Sequence, residues 1–367
     1  MWQISIMRRL LFSLLLFFFS FCEAQKLNRM ELGLITPKVS NCTSVKDQFM
    51  SSTCWSFSGN SFLESELMKM GRGNFDLSEM FVARYSMLRK IRRHLELKGQ
   101  NFFTPGGQFH DVIWVLKNFG IVPESAYPGK GRGETNHNHS EMDTILSHYV
   151  NDMVINGFIG MNDAQEHFVD SVLDYYLGPV PKQFIYKGRS YTPQLFLKQV
   201  LKFNPDDYIE ITSYTHHPFY KPFILEDKYN WTNDTYYNVT ISDFSRITDS
   251  ALSKGYTVGW DGDAQDDYFD FSEGLAYLPG TINNFQIARQ EAFENQSTLL
   301  NHMMHIVGVV KDLKEQKWYY IKNSWGDHSN SLGGFLFMRD DYLRIRTVAI
   351  IVNKKMIPAD IKKKMNL

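Results

Sequence analysis

A single cysteine, Cys54, stands where a turn of small residues meets the start of a predicted helix. Residues 51–53 are small and polar, and apolar side chains then recur at helical spacing across 57–68 until Gly71 ends the pattern. A thiol in the first turn of a helix lies beside unpaired N–H groups and the positive end of the helix dipole, which both favour the thiolate. This stretch therefore predicts a nucleophilic sulfur at the start of a buried helix.

Gln48 lies six residues before Cys54, on the other side of the turn. We expect its side-chain amide to reach the sulfur and to join the Cys54 N–H as a second donor to a developing oxyanion. A structural interpretation competes with this one, because free cysteine is among the most buried residue types and Trp55 and Phe57 follow directly. The far end of the chain favours the chemical interpretation.

Two segments near the C-terminus, 301–308 and 318–326, are predicted strands that run into turns. Along the first, His302 shares a face with Met304, whereas His305 projects from the other face, because side chains alternate along a strand. Only one of the two histidines can face Cys54. Asn323 follows the second strand, where its side-chain carbonyl can accept from an imidazole and fix its tautomer.

These segments are part of an ordered set of motifs that resembles the papain superfamily of cysteine peptidases. The set comprises the Gln48-to-Cys54 spacing, Cys54–Phe57, Leu77–Glu79, Gly106–Gly107, Asn301–His302 and Asn323–Gly326. The resemblance selects His302 and leaves His305 as a packing residue. It implies Cys54 as nucleophile, His302 as base, Asn323 orienting the imidazole, Gln48 in the oxyanion hole, Trp325 shielding the His302–Asn323 hydrogen bond, and Gly106 and Gly107 as the wall that pairs with substrate.

The resemblance also implies a fold: the α+β, two-lobed papain-like architecture, here with a large, mainly helical insertion. Cys54 and His302 are 248 positions apart, against about 130 to 150 in papain-like enzymes. We expect a helical lobe at about 45–128, an inserted region at about 129–222 with helices at 142–155 and 164–176, and a β-rich lobe at about 223–355. The runs Tyr191–Phe196 and Thr215–Tyr220 resemble the bleomycin hydrolase (aminopeptidase C) branch.

That branch implies an aminopeptidase in a hexameric cage, with its C-terminal tail folded into the cleft. The tail expected here is shorter, with 44 residues after Asn323, so a papain-like endopeptidase or oligopeptidase is an open alternative. A second alternative is a catalytically idle, secreted relative that binds peptides. A third is an enzyme that transfers the acyl group to an amine instead of water. A peptide or protein is the expected partner, and no metal or organic cofactor is expected. Residues 25–47 are too few for the inhibitory pro-segment of secreted papain relatives.

The N-terminus is predicted to be a secretory signal peptide, residues 1–24. Arg8 and Arg9 precede an apolar stretch from Leu10 to Phe19, and cleavage is expected after Ala24. The mature chain, 25–367, is then secreted or periplasmic and free of the membrane, with a lipid-modified Cys22 as the competing interpretation. A net charge of -1 gives no indication of nucleic-acid binding.

Three further groups of charged residues carry expectations that depend on the fold. Arg89, Lys90, Arg92 and Arg93 are expected to form a solvated helix face. The acidic residues Asp261, Asp263, Asp266 and Asp267 are expected to lie in a solvated loop, an interpretation favoured over recognition of a substrate amine. The adjacent His216 and His217 are expected to point to opposite faces of an extended segment in structural roles. Cys42 is expected to be a free thiol, because a disulfide to Cys54 would block the nucleophile.

Overall fold

The computed structural model describes residues 26–39, 41–131 and 133–367. The predicted signal peptide, 1–24, and its Cys22 lie outside these residues. Within the described ranges, every helix is too short or too polar to cross a membrane.

The first half of the chain is helical, and its helices begin where the sequence supplies caps. Ser78 accepts a hydrogen bond from the backbone N–H of Phe81 at the start of one helix, and Asn162 and Gln165 form a capping box at another. The helices are Arg29–Leu32, Cys54–Lys69, Glu79–Glu96, Phe109–Phe119, Ser140–Ile155 and Asp163–Leu177, with a 3-10 turn at Glu124–Ala126.

The second half is built on a ten-stranded sheet. In spatial order its strands are Pro222–Ile224, Thr235–Asn238, Tyr208–Thr212, Thr347–Asn353, Val258–Gly262, His302–Lys311, Lys317–Lys322, Phe335–Arg339, Leu275–Ala276 and Phe269–Asp270. Most neighbours are antiparallel, and the predicted α+β class is confirmed. The helices Ile241–Ser253, Phe285–Glu294, Asp340–Arg346 and Ala359–Met365 accompany the sheet.

The predicted inserted region contains helices, as expected, but also one strand of the large sheet. Its helices Ser140–Ile155 and Asp163–Leu177 are followed by a small hairpin, Phe184–Tyr186 with Arg189–Tyr191, and by helical turns at Pro193–Leu195, Phe196–Leu201 and Pro205–Asp207. Strand Tyr208–Thr212 then pairs with Thr347–Asn353 in the centre of the large sheet. The part of 129–222 that stands apart from the sheet therefore ends before Tyr208.

The Cys54 helix (Cys54–Lys69) is buried on all sides between the other helices and the sheet. Every residue from Trp55 to Leu67 is buried. The Ser58 hydroxyl donates to the carbonyl of Met304 at 2.6 Å, and the Ser61 hydroxyl lies 2.9 Å from Nδ1 of His305. His305 is therefore a packing residue, as expected, but the expected faces are wrong: His305 packs against the Cys54 helix, whereas Met304, expected to share a face with His302, belongs to the core on the far side of the sheet.

The prediction of a solvated basic face is wrong for Lys90 and Arg89. Lys90 is only 2% exposed, and its ammonium group donates to the backbone carbonyls of Thr104 and Gly106. The Arg89 guanidinium lies 4.3 Å above the Trp114 ring. These cations are buried because the fold surrounds them with carbonyl oxygens and aromatic faces, which local sequence does not reveal.

The prediction of a solvated acidic loop is also wrong for its first two members. Asp261 lies within strand Val258–Gly262 and has no exposed surface, and Asp263 is 5% exposed. Asp263 accepts hydrogen bonds from the N–H of Leu299 and the side chain of Asn301, so its burial is compensated.

Replacement of Thr347 by Val is expected to destabilise the centre of the sheet. The Trp260 indole N–H donates to Thr347 Oγ1 at 2.7 Å, and both residues are fully buried. Valine keeps the shape and leaves the indole N–H without an acceptor, which costs about 1–3 kcal/mol of the free energy of unfolding. Urea unfolding measures this, with Thr347→Ser as the control that keeps the hydroxyl. A Val variant as stable as the Ser variant would contradict the role of this bond.

Candidate active site

A tight turn connects Gln48 to Cys54. Phe49 and Ser52 adopt left-handed backbone conformations with φ of 47° and 55°, each at a cost of about 1 kcal/mol. The turn is held by side chains: Asp47 Oδ1 accepts from the Phe49 N–H at 2.7 Å, and the buried Ser51 and Thr53 hydroxyls lie 2.5 Å apart. Cys54 and Cys42 are both free thiols.

The N-terminus of the Cys54 helix has no side-chain cap. Thr53 is the N-cap residue, and its hydroxyl makes no cap hydrogen bond. Its carbonyl accepts instead from the N–H groups of Ser56 and Phe57. The N–H groups of Cys54 and Trp55 are consequently left to donate near the sulfur, which is the arrangement that an oxyanion site requires.

Residues 46–48 pair with residues 324–326, which joins the Cys54 turn to the end of the second C-terminal strand. The Gln48 N–H donates to the Ser324 carbonyl at 2.8 Å, and the Gly326 N–H donates to the Lys46 carbonyl at 3.1 Å. Gln48 Oε1 accepts from the Ser324 hydroxyl at 2.6 Å. This bond orients the Gln48 amide and leaves its NH2 group to donate.

His302, Asn323 and Trp325 form one cluster. His302 Nε2 lies 2.7 Å from Asn323 Oδ1, so Nε2 carries the proton and Nδ1 is left to accept one. The same Oδ1 accepts from the Ser324 N–H at 2.8 Å, which fixes the amide. The Trp325 indole covers the imidazole with ring centroids 4.8 Å apart, and His302 is 6% exposed.

Cys54 lies at the start of the His302 strand (His302–Lys311), because the backbone of the next residue, Met303, donates to its sulfur. Burial raises the pKa of Cys54 to about 11 and the charge of Asp261 adds to this, whereas hydrogen bonds from Met303, Trp55 and Cys54 itself lower it. Burial lowers the pKa of His302 to about 4. The expected lowering of the thiol pKa is therefore wrong for the empty cleft, since lost solvation outweighs the helix donors.

Gly106 and Gly107 lie beside Trp55, the residue after the nucleophile. A Cβ at Gly107 would meet the Trp55 indole at 2.7 Å, and one at Gly106 would meet the Tyr229 ring at 2.9 Å. The Trp55 indole N–H donates to the Pro105 carbonyl at 3.0 Å. The glycine segment is therefore held against the nucleophile, and Tyr229 covers part of it. No motif marks Tyr229 or Lys90, so sequence reasoning missed both.

His216 and His217 do not point to opposite faces. The Nε2 atoms of both contact one carboxylate, that of Glu226, at 3.1 and 2.6 Å. The three side chains have the spacing of a metal-ligand set. However, Gln290 accepts from the Thr215 N–H, so its NH2 group donates to Nδ1 of His216. The His216 proton then lies on Nε2, which donates a hydrogen bond to Glu226. The polar groups of this cluster therefore have hydrogen-bond partners without a cation.

Alkylation of Cys54 by iodoacetamide is expected to proceed at a near-constant rate across about pH 5 to 8. Transfer of the Cys54 proton to His302 exchanges no proton with solvent, so between the pKa of His302, about 4, and that of Cys54, about 11, the fraction of this ion pair does not change with pH, and the ion pair is the form expected to react. Peptide mapping separates Cys54 from Cys42, whose pKa is raised by burial and whose alkylation should increase steadily with pH. A rise of Cys54 alkylation centred near pH 8.5, the ordinary thiol value, would contradict the pairing.

Three peptidases align with most of this chain. Aminopeptidase C of Lactobacillus delbrueckii subsp. lactis is 24% identical over 381 residues, covering 87% of this chain and 81% of the relative. Aminopeptidase W of the same organism is 26% identical, with 92% and 86% covered. Bleomycin hydrolase of Mus musculus is 24% identical over 296 residues, with 70% and 64% covered.

The fold agrees with a solved structure. PepW from Lactobacillus rhamnosis HN001 matches with a TM-score of 0.70 at 19% identity, covering 90% of this chain and 85% of that one. The predicted papain-like α+β fold is confirmed. The model of the Peptidase C1-like family matches residues 179–367, just over half of the chain. The predicted enzyme class, a cysteine peptidase, is confirmed by this match. The chain belongs to the Peptidase C1-like family.

Proposed function

We propose that this enzyme hydrolyses peptide bonds through a thioester on Cys54. The Cys54 thiol gives its proton to Nδ1 of His302 and attacks the substrate carbonyl carbon. The Gln48 amide and the Cys54 N–H donate to the oxyanion that forms. His302 then protonates the leaving amine, and as a base it activates the water that releases the acid and regenerates the thiol.

The observation that carries this proposal is the 2.7 Å bond between His302 Nε2 and Asn323 Oδ1. It assigns the free ring nitrogen, Nδ1, to the proton transfer, and the Trp325 indole excludes water from the bond. The uncapped start of the Cys54 helix supplies the oxyanion donors. No metal or organic cofactor takes part in these steps.

Within this chemistry, removal of the amino-terminal residue is the activity we propose. The supporting observations are the relatives named aminopeptidase C, aminopeptidase W and bleomycin hydrolase. A covered cleft wall also supports it: the Tyr229 ring lies against Gly106, one of the two glycines expected to pair with substrate, and so limits the length of chain that this wall can hold.

A matched pair of peptides, identical except for acetylation of one amino terminus, tests the proposal. Stepwise loss of residues from the free peptide alone is expected, measured by mass spectrometry under reducing conditions. Internal cleavage of both peptides would favour the endopeptidase alternative, and cleavage of neither would favour a peptide-binding role.

Two variants assign the chemistry in the same assay. Cys54→Ala should abolish turnover, whereas Asn323→Ala should reduce kcat about 10- to 1,000-fold, because orientation of the imidazole contributes less than the nucleophile itself. Equal losses in the two variants would count against the role of Asn323.

Export and assembly are the remaining parts of the proposal. We expect the secreted or periplasmic protein to begin at Gln25 after signal cleavage, which amino-terminal sequencing measures. The resemblance to the bleomycin hydrolase branch favours a homo-oligomer of six copies, which light scattering tests. A start upstream of Gln25, or a monomer at micromolar concentration, would contradict the respective part.

A further inference from the structure

A buried carboxylate, that of Asp261, faces the junction of the two lobes. It lies in strand Val258–Gly262 on the same face as Gly259, because side chains two residues apart share a face. A Cβ on Gly259 would meet Phe109 and Ile351, which belong to the core around the Cys54 helix. Trp260, between them, faces the opposite core. Asp261 therefore points to the Cys54 side of the sheet.

The strand register places Asp261 next to the reacting groups. It pairs with Met303, the residue that follows His302 and whose backbone donates to the Cys54 sulfur. Its charge acts on Cys54 and raises the pKa of the thiol. A group bonded to Cys54 during the reaction is thus close to this carboxylate.

Asp261 has no cation and no hydrogen bond. It is 0% exposed, and neither carboxylate oxygen has a partner among the residues that the structure describes. Burial raises its pKa well above the ordinary value, and Asp227 and Glu210 add to the effect. An uncompensated buried carboxylate is costly, so its retention beside a nucleophile calls for a ligand that compensates it.

Other carboxylates of the same region do have cationic partners. Glu210 lies 2.8 Å from Nδ1 of His110, whose pKa the carboxylate raises, against the effect of burial, to about 9. Asp111 lies 3.5 Å from the Arg89 guanidinium. Asp261 differs from these carboxylates, because neither of its oxygens has a hydrogen-bonding or cationic partner among the described residues.

The segment 225–234 closes the cleft on this side. Its Tyr229 ring contacts Gly106 and packs edge-on against Phe102, with ring centroids 5.3 Å apart. Asp227 Oδ1 accepts from the Tyr229 N–H at 2.8 Å, which fixes the segment, and Asp227 lies close enough to Asp261 for its charge to raise the pKa of that carboxyl. The chain beyond the acylated residue therefore meets protein and negative charge rather than an open groove.

The last helix, Ala359–Met365, packs elsewhere. Lys364 lies 3.0 Å from Asp243 and Asp360 lies 2.9 Å from Arg246, both on helix Ile241–Ser253. The charged residues Asp360 and Lys364 of this helix are therefore held by helix Ile241–Ser253.

We propose that Asp261, with Asp227 at the cleft edge, binds the amino-terminal ammonium group of the substrate. This inference rests on the proposed aminopeptidase function and names its recognition group. The ammonium ion pairs with the Asp261 carboxylate while the carbonyl of the same residue lies over Cys54. An acetylated amino terminus has no positive charge to pair with Asp261, and its acetyl group occupies space beside the Tyr229 ring.

Protection of Cys54 against iodoacetamide tests this binding without requiring turnover. Leucinamide is expected to protect wild-type Cys54 at concentrations about 10- to 100-fold lower than acetyl-leucinamide, the range set by one charge-assisted hydrogen bond. In Asp261→Asn this advantage of leucinamide should shrink several-fold, because the carboxylate that pairs with the ammonium is gone, whereas Asp227 and the Tyr229 ring are unchanged. Asp267→Asn, an exposed carboxylate of the same acidic run, is the matched control and should behave as wild type.

The alkylation rate without ligand shows whether Cys54 remains reactive in the variant. Asp261→Asn removes a charge that disfavours the thiolate, so unprotected Cys54 should react at least as fast as in wild type. A circular dichroism melt confirms the fold. Asp227→Asn is a second variant, at a partly exposed site, and should weaken leucinamide protection in the same direction.

The protection and cleavage results together separate the ammonium-binding inference from the proposed aminopeptidase function. If leucinamide keeps its full wild-type advantage over acetyl-leucinamide in Asp261→Asn, the inference is overturned. If acetyl-lysyl-leucinamide protects as well as leucinamide and loses this in Asp261→Asn, the ammonium belongs to a side chain and the amino-terminal assignment is wrong. If Asp261-dependent protection is found but no peptide is cleaved, the inference stands and the proposed aminopeptidase function fails.

Discussion

The site depends on the packing of one buried helix against one strand. Cys54 begins the helix and His302 begins the strand, and the two elements are joined along their length by the Ser58–Met304 and Ser61–His305 hydrogen bonds. Both bonds are buried, where each is worth more than at the surface and is costly to leave unmade. The packing of these two elements therefore fixes the relative position of Cys54 and His302, which are far apart in sequence. The short pairing of 46–48 with 324–326 adds Gln48 and Asn323 to the same frame.

Burial has opposite consequences for neutral and charged states in this cleft. It stabilises the His302–Asn323 bond by excluding water, yet it disfavours a lone thiolate on Cys54 and a lone imidazolium on His302. Transfer of a proton from one to the other creates both charges together, so each compensates the other. The same logic applies to Asp261, whose buried charge is tolerated when a cation accompanies it.

Much of this arrangement could be predicted from sequence, because it follows from local rules. Helical spacing after Cys54 identified the buried helix. The period of two along 302–306 did not identify the face that meets this helix, because His305 packs on it and Met304 lies on the far side of the sheet; the choice of His302 came from the resemblance. The α+β class and the family followed from the order of the motifs. The roles of the individual site residues stay proposals until the variants are measured.

The errors came from residues whose environment is set by distant parts of the chain. Lys90 looked solvated because its neighbours in sequence are basic, but the fold brings the Thr104 and Gly106 carbonyls to it. Asp261 looked like part of an acidic loop, whereas strand pairing with Met303 buries it. Tyr229 carries no signal at all, because a single aromatic residue in a loop has no periodicity. Each error concerns a long-range contact that composition and spacing do not encode.

The central claim is that acyl transfer passes through the Cys54 sulfur, and trapping the acyl-enzyme tests it most directly. The enzyme is mixed with leucine p-nitrophenyl ester, quenched in acid within milliseconds and digested for mass spectrometry. A leucyl adduct is expected on the peptide that contains Cys54, and no adduct is expected on any peptide of Cys54→Ala. An adduct on Cys42 or on any other residue, or turnover with Cys54 never acylated, would contradict it.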